Sequence, residues 1–293
     1  MTMPSRYTTE NNDISPFEVR SFPWRIQNFF IFIFLFPFSF PFILFGILGC
    51  ILVAPFYKNF PLSSKDKASS FLSWLFMVGT RINVRTKDRN LNKKDHSQLY
   101  VSPHICMAEV NLLMLSLGHF RILTAEFTKN IPVFNIPIRC LDPIYVVRGK
   151  NKQKGSSAFN LLKQSIEETN YRHIIFPEGT YTNGKSIIRF KTGAFALAVP
   201  VTPVVFHYPK YIPFWNRQES SIFIQFYRLM SQIYTPINIE ILPTYHPSKE
   251  ERADPKLYAS NVRILIAKHA DRPLSNKTLE DSPNYQLDAN VRS

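Results

Sequence analysis

The dominant pattern along the chain is a run of 32 positions, residues 26–57, with no charged side chain and with Phe, Ile or Leu at most sites. As one helix it would extend roughly 48 Å, against a hydrocarbon core of about 30 Å. Pro37 and Pro41 each remove a backbone donor near its middle. They divide the run into residues 26–36 and 42–57, pieces of 11 and 16 residues, each short of the roughly 20 needed to span. Two arrangements therefore stay open: one tilted, kinked span with the N-terminus in the lumen, or a re-entrant hairpin with both ends cytosolic, which the prolines favour. The flank that follows carries Lys58, Lys65, Lys67, Arg81, Arg85, Lys87, Arg89, Lys93 and Lys94, an excess that assigns it to the cytosol. The preceding flank holds only Arg6, Arg20 and Arg25 as cations, and its Glu10, Asp13 and Glu18 speak against a cleaved signal peptide. Residues 68–79 then read as a helix whose apolar stripe includes Phe71, Trp74 and Leu75, suited to a membrane interface.

Beyond Arg81 the period changes. Short β-rich runs alternate with helical ones, the mark of an α/β layer architecture, here a mixed β-sheet flanked by helices behind a hydrophobic N-terminal anchor or hairpin. Strands are predicted at residues 98–102, 121–127, 144–148, 173–176, 201–207, 222–227 and 239–243. A helix at 156–169 would turn Phe159, Leu162 and Ile166 to one side. Another at 253–270 would carry Leu257, Val262, Leu265 and Ile266, with Pro255 near its start, where proline is tolerated. No repeat or low-complexity linker interrupts residues 82–270, which read as one domain. The chain thus divides into a polar segment (1–25), a membrane segment (26–57), an interfacial helix (58–81), the α/β domain (82–270) and a tail (271–293). Pro273, Pro283 and few large apolar residues predict loose packing for that tail.

Charge narrows the partners. With 35 Lys+Arg against 21 Asp+Glu the formal charge is +14, which suits nucleic acid, an anionic membrane face or phosphate-bearing substrates. No zinc-finger spacing, RNP-like segment or basic-aromatic repeat is present, so nucleic acid is excluded as the partner. Cys50, Cys106 and Cys140 are too few and too scattered for a disulfide framework, which points to a reducing compartment. Asn276-Lys-Thr278 matches the glycosylation pattern, as a chance occurrence on a cytosolic surface also would.

Candidate chemistry gathers at strand ends. His104 follows the apolar stretch Leu99-Tyr-Val-Ser-Pro103. Positions five apart lie about 140° apart around an α-helix, so His104 and Glu109 cannot share a helix face. If they pair, His104 lies in a turn and Glu109 reaches back from the first turns of a helix, giving a base with an orienting carboxylate. Cys106 is a rival nucleophile by residue type, but one intervening residue leaves it badly placed for His104, and a packed thiol is the simpler state. Neither an HExxH segment nor a Cys pair occurs, so no zinc or other metal site is expected. The segment Phe176-Pro-Glu-Gly-Thr180 follows a predicted strand, where a turn exposes a carboxylate and backbone N–H groups; an ordinary loop has the same composition. Arg148 closes another predicted strand, positioned either for a phosphate or for a surface ion pair.

Taken together and in this order, His104 with Glu109, Ile144-Tyr-Val-Val-Arg148, Phe176-Pro-Glu-Gly-Thr180 and Val199-Pro-Val-Thr-Pro203 resemble the glycerolipid acyltransferase superfamily. Glu178-Gly-Thr-Tyr-Thr-Asn183, Phe190-Lys-Thr-Gly-Ala-Phe195 and the tract from Leu242-Pro-Thr-Tyr-His-Pro247 through Pro255-Lys-Leu-Tyr258 to Arg263 are similar to its lysophosphatidylcholine acyltransferase branch. The resemblance covers residues 74–285. It implies an acyl-CoA-dependent lysophospholipid O-acyltransferase of the endoplasmic reticulum membrane, with its catalytic domain cytosolic. Acyl-CoA, lysophospholipid and membrane lipids are the partners it implies, and no cofactor besides acyl-CoA as co-substrate. His104 would be the general base and Glu109 its orienting carboxylate. Arg148, Glu178, Gly179 and Thr180 would position the lysophospholipid head, Pro203 would shape the site, and Lys191 would meet phosphates of substrate or coenzyme A.

Two departures from the superfamily pattern matter. Its aspartate is Glu109 here, one methylene longer, which leaves open a catalytically weak or inactive lipid-binding homologue. Tyr181 stands where relatives with a bare glycerol-phosphate acceptor carry Arg, which favours a substituted head group of the phosphatidylcholine or phosphatidylethanolamine type.

Overall fold

In the computed structural model of the chain, the described residues are 15–18, 26–89, 97–106, 108–130, 137–146, 158–209 and 222–282. One helix, α1 (Ile26–Val53), runs unbroken through Pro37 and Pro41. Of the two arrangements open for residues 26–57, a single span or a hairpin, the structure has one 28-residue helix, long and apolar enough to cross a membrane. Both prolines lie on its exposed side, so the missing N–H groups do not disturb the packed one. That packed face, with Ser39, Ile43 and Gly46 buried, meets a second helix, α2 (Leu62–Thr80). The approach is close because Gly79 lacks a side chain: a Cβ there would sit 2.7 Å from Ile43 Cγ1, a small-residue seam of the kind apolar helices use to associate. Phe29, Phe34, Phe38, Phe45 and Leu52 are exposed on the outer face of α1, a contiguous run of large apolar side chains of the kind that marks a membrane or partner surface.

The strands are β1 (Ile82–Asp88), β2 (Leu99–Val101), β3 (Phe120–Ala125), β4 (Ile144–Val146), β5 (Arg172–Ile175), β6 (Thr202–His207) and β7 (Thr235–Ile241). They form one sheet in the order β1–β7–β6–β2–β5–β3–β4. Every neighbouring pair is parallel except β6 with β7, so the sheet is mixed. The remaining helices are α3 (Ala108–Leu117), α4 (Ala158–Glu168), α5 (Ile222–Met230), α6 (Lys249–Ala253) and α7 (Pro255–Ala270). Successive strand residues point to opposite faces. Ile174, Val204 and Phe206 therefore join Leu112, Leu113 and Met77 in one apolar cluster, while Ile175 and Val205 join Leu162, Val262 and Ile266 in the other.

Three expectations need correction. Residues 222–227 are helical, not a strand: the short run of β-branched and aromatic residues is ambiguous in period, and packing against α1, where Tyr227 meets Phe32 at 5.1 Å between ring centroids, decides it. Strand β1 was not expected, because its Arg85, Lys87 and Asp88 hide the alternation; it is an edge strand, where such charges are common. The segment beyond Ala270 is not loosely packed as far as Ser282. Leu274, Ser275, Leu279 and Ser282 are buried, because Ile187 and Arg189 donate to the carbonyls of Pro273 and Lys277 at 3.0 and 2.9 Å, and Ser275 donates back to Ile187 at 3.0 Å.

Candidate active site

Strand β2 ends at Val101, and the chain turns through Ser102, Pro103 and His104 before α3 begins at Ala108. Because His104 precedes the helix and Glu109 sits in its first turn, residues five apart meet: His104 Nδ1 lies 2.6 Å from Glu109 Oε2. The carboxylate is fully buried. Ile105 N–H bridges its two oxygens at 3.1 and 3.2 Å, and the Tyr208 hydroxyl donates to Oε1 at 2.6 Å. A carboxylate acceptor on Nδ1 fixes the tautomer, with the proton on that nitrogen and the lone pair on Nε2. The imidazole is also held between two rings. Phe176 stacks on it at 3.8 Å and 12°, and Tyr181 lies against it at 3.9 Å and 34°.

The turn after β5 builds the layer beneath. Glu178 is wholly buried and accepts from the backbone N–H of His104 at 2.8 Å and of Ile188 at 3.2 Å. Burial pushes its carboxyl up to about 8, against the pull of those two N–H donors and of Arg272. With both oxygens so engaged, Glu178 bears on a ligand through the placement of His104. Gly179 adopts φ +71, a conformation that favours glycine, and the Lys191 chain lies across it, with Cε 3.2 Å from where a Cβ would stand. Thr180 is buried, and Thr182 N–H returns to the His104 carbonyl at 2.9 Å.

Other expected site residues are placed less centrally. Lys191 is half exposed, its Nζ 3.7 Å from Glu280. Pro203 is buried inside β6 opposite Val101, where it supplies no N–H and the β2–β6 pairing ends. Arg148 lies outside the described residues. Cys106 accepts from Ala108 N–H through its sulfur at 3.4 Å, on the turn into α3. Among the described residues no group of three or more His, Cys, Asp or Glu is arranged to hold a metal.

Two contributors were not anticipated. Tyr208 follows the last residue of β6, which runs parallel to β2, so it emerges at the same sheet edge as His104; strand topology would have pointed to it. Arg272, just past α7, lies within electrostatic reach of Tyr208, Glu109 and Glu178 and donates to the Phe206 carbonyl at 3.3 Å. Nothing in its sequence surroundings singles it out. The N-terminal side also reaches this layer. The Asn183 side chain donates to the carbonyls of Ser15 and Glu18 at 2.8 and 3.0 Å, and Lys185 pairs with Glu18 at 2.7 Å.

The Acyltransferase family model matches residues 78–207. Lysophosphatidylcholine acyltransferase 1 of Danio rerio is 33% identical over 201 residues, covering 68% of this chain and 38% of its own length. Lysophospholipid acyltransferase LPEAT1 of Arabidopsis thaliana is 30% identical over 223 residues, covering 71% of this chain and 55% of its own length. The chain therefore spans about 38% to 55% of these relatives. Among solved structures, the 1-acyl-sn-glycerophosphate (LPA) acyltransferase PlsC of Thermotoga maritima has a TM-score of 0.50. The match covers 78% of this chain and 94% of that one at 18% identity, a likeness of fold.

Proposed function

We propose, from the premise that this chain belongs to the glycerolipid acyltransferase superfamily in its lysophosphatidylcholine acyltransferase branch, that it transfers an acyl group from acyl-CoA to a lysophospholipid. The observation that carries this is the buried His104–Glu109 contact of 2.6 Å at the sheet edge.

In the proposed reaction the free glycerol hydroxyl gives its proton to His104 Nε2 as its oxygen bonds to the thioester carbonyl carbon. The imidazolium keeps its Nδ1 proton on Glu109, whose negative charge stabilises it. The tetrahedral centre then collapses, the C–S bond breaks, and the departing thiolate of coenzyme A takes the proton from Nε2. No acyl-enzyme forms. A positioned base of this kind contributes roughly 100- to 10,000-fold. Glu178 acts from beneath by holding the His104 backbone, and Gly179 and Thr180 form the turn beside it. Arg148 and Lys191 supply cations for phosphate, and Pro203 shapes the floor. Helix α1 would lie in the endoplasmic reticulum bilayer, with the α/β domain on the cytosolic side. Tyr181 against the imidazole, where an Arg would serve a bare phosphate, favours an acceptor with a choline or ethanolamine head.

The test is purified chain in detergent with labelled oleoyl-CoA and a panel of lysophosphatidylcholine, lysophosphatidylethanolamine and lysophosphatidic acid. Diacyl product from the first two is expected. Failure with every acceptor, in a preparation that binds acyl-CoA, would leave a lipid-binding homologue instead.

A further inference from the structure

We propose that Tyr208 is a positioning residue for the His104–Glu109 pair, and that its hydroxyl lets a glutamate serve where the superfamily has an aspartate. This inference rests on the acyltransferase reading given above. Glu109 has one more rotatable bond than aspartate, and a longer side chain needs a second anchor to stay on Nδ1. Ile105 N–H, at 3.1 and 3.2 Å from the two oxygens, fixes the carboxylate's height but hardly distinguishes one oxygen from the other.

Tyr208 makes the distinction. Its hydroxyl donates to Oε1 at 2.6 Å, leaving Oε2 to face His104 Nδ1 at 2.6 Å. The tyrosine is itself held: its ring stacks on buried Phe206 at 5.9 Å and 23°. An aspartate at 109 would withdraw the carboxylate by about one bond length, ~1.5 Å, so it would not meet Tyr208 and His104 together without a shift of α3. Displacements of about 1 Å in such assemblies cost on the order of 100-fold in rate.

The experiment measures kcat and KM of the full chain in detergent for wild type, Tyr208→Phe, Glu109→Asp and the double variant. Tyr208→Phe is expected to lower kcat about 10-fold with KM for both substrates within about twofold. Glu109→Asp is expected to lose kcat similarly, and the double variant to be no worse than the poorer single, because both remove one shared contact. A purely structural loss would multiply instead. Full kcat in Tyr208→Phe, or multiplying effects in the double, overturns the inference alone. Should Tyr208→Phe fail to fold, Glu109→Asp decides: reduced kcat supports the role of Tyr208, and unchanged or raised kcat overturns it. A folded wild type inactive on every acceptor overturns the acyltransferase reading and this inference with it.

Discussion

The backbone N–H of His104 donates to one oxygen of the buried Glu178 carboxyl group across 2.8 Å, while the other oxygen accepts from the Ile188 N–H at 3.2 Å. The turn after β5 thereby sets the height of the imidazole above the sheet edge. Glutamine at 178 offers one acceptor oxygen to two donors, so one N–H would face an NH2 group. Glu178→Gln is therefore expected to lose about 1–3 kcal/mol of stability below about pH 4.5, where the carboxyl is close to neutral in the folded and unfolded chains alike, and at least about 10-fold in acyl transfer. Thermal unfolding and turnover measured on one preparation check both.

The same carboxyl makes stability depend on pH. It is neutral in the folded and unfolded chains below its ordinary value of 4.5, and burial raises it to about 8 in the fold. Between those values the unfolded chain releases a proton that the folded chain keeps, so the stability Glu178 contributes falls as pH rises, by at most roughly 1.4 kcal/mol per unit. The unfolding midpoint of wild type minus that of Glu178→Gln should decline from pH 5 to 8 and level off above. A rise across that window contradicts the assignment.

Lys65 and Asp142 form a buried ion pair, 2% and 9% exposed, which bolts α2 to the loop before β4. Tyr57, packed on the same cluster, meets Ser69 and the His119 ring at 2.5 and 3.0 Å. Lys65→Met strands Asp142 without its cation and is expected to cost about 3–5 kcal/mol. Adding Asp142→Asn should recover part of that loss, because the two changes share one interaction. Denaturant midpoints of both single variants and the double measure it.

Cys106 lies on the turn into α3 with its sulfur accepting from Ala108 N–H. Cys106→Ala should keep wild-type turnover within about twofold, since no step of the proposed reaction uses it. A trapped acyl-Cys106 in intact-protein mass spectrometry would point to a thioesterase or transacylase.

How much of this was legible beforehand follows from the range of each signal. His104, Glu109 and the Glu178 turn stand in short segments whose order along the chain is distinctive, so they could be read directly. The sheet core could be read too, because Leu99–Val101 and Thr202–His207 are buried at nearly every position and carry continuous apolar runs. Strand β1 was hidden by the charges of an edge. Residues 222–227, expected as a strand, are helical because contact with α1, not local preference, decides their structure. Tyr208 reaches Glu109 from 99 residues away, and Arg272 arrives from a segment whose composition looks like a tail. Only three-dimensional packing brings such pairs together. The prolines of α1 misled for a related reason: their cost depends on which side of the helix they face.

The most direct test of the central claim is the turnover of wild type and His104→Ala, side by side, with labelled oleoyl-CoA and lysophosphatidylcholine or lysophosphatidylethanolamine. Diacyl phospholipid and free coenzyme A should appear in equal amounts with the wild type, and product should fall by at least about 100-fold in the variant. Wild-type turnover by a folded His104→Ala chain would contradict the account.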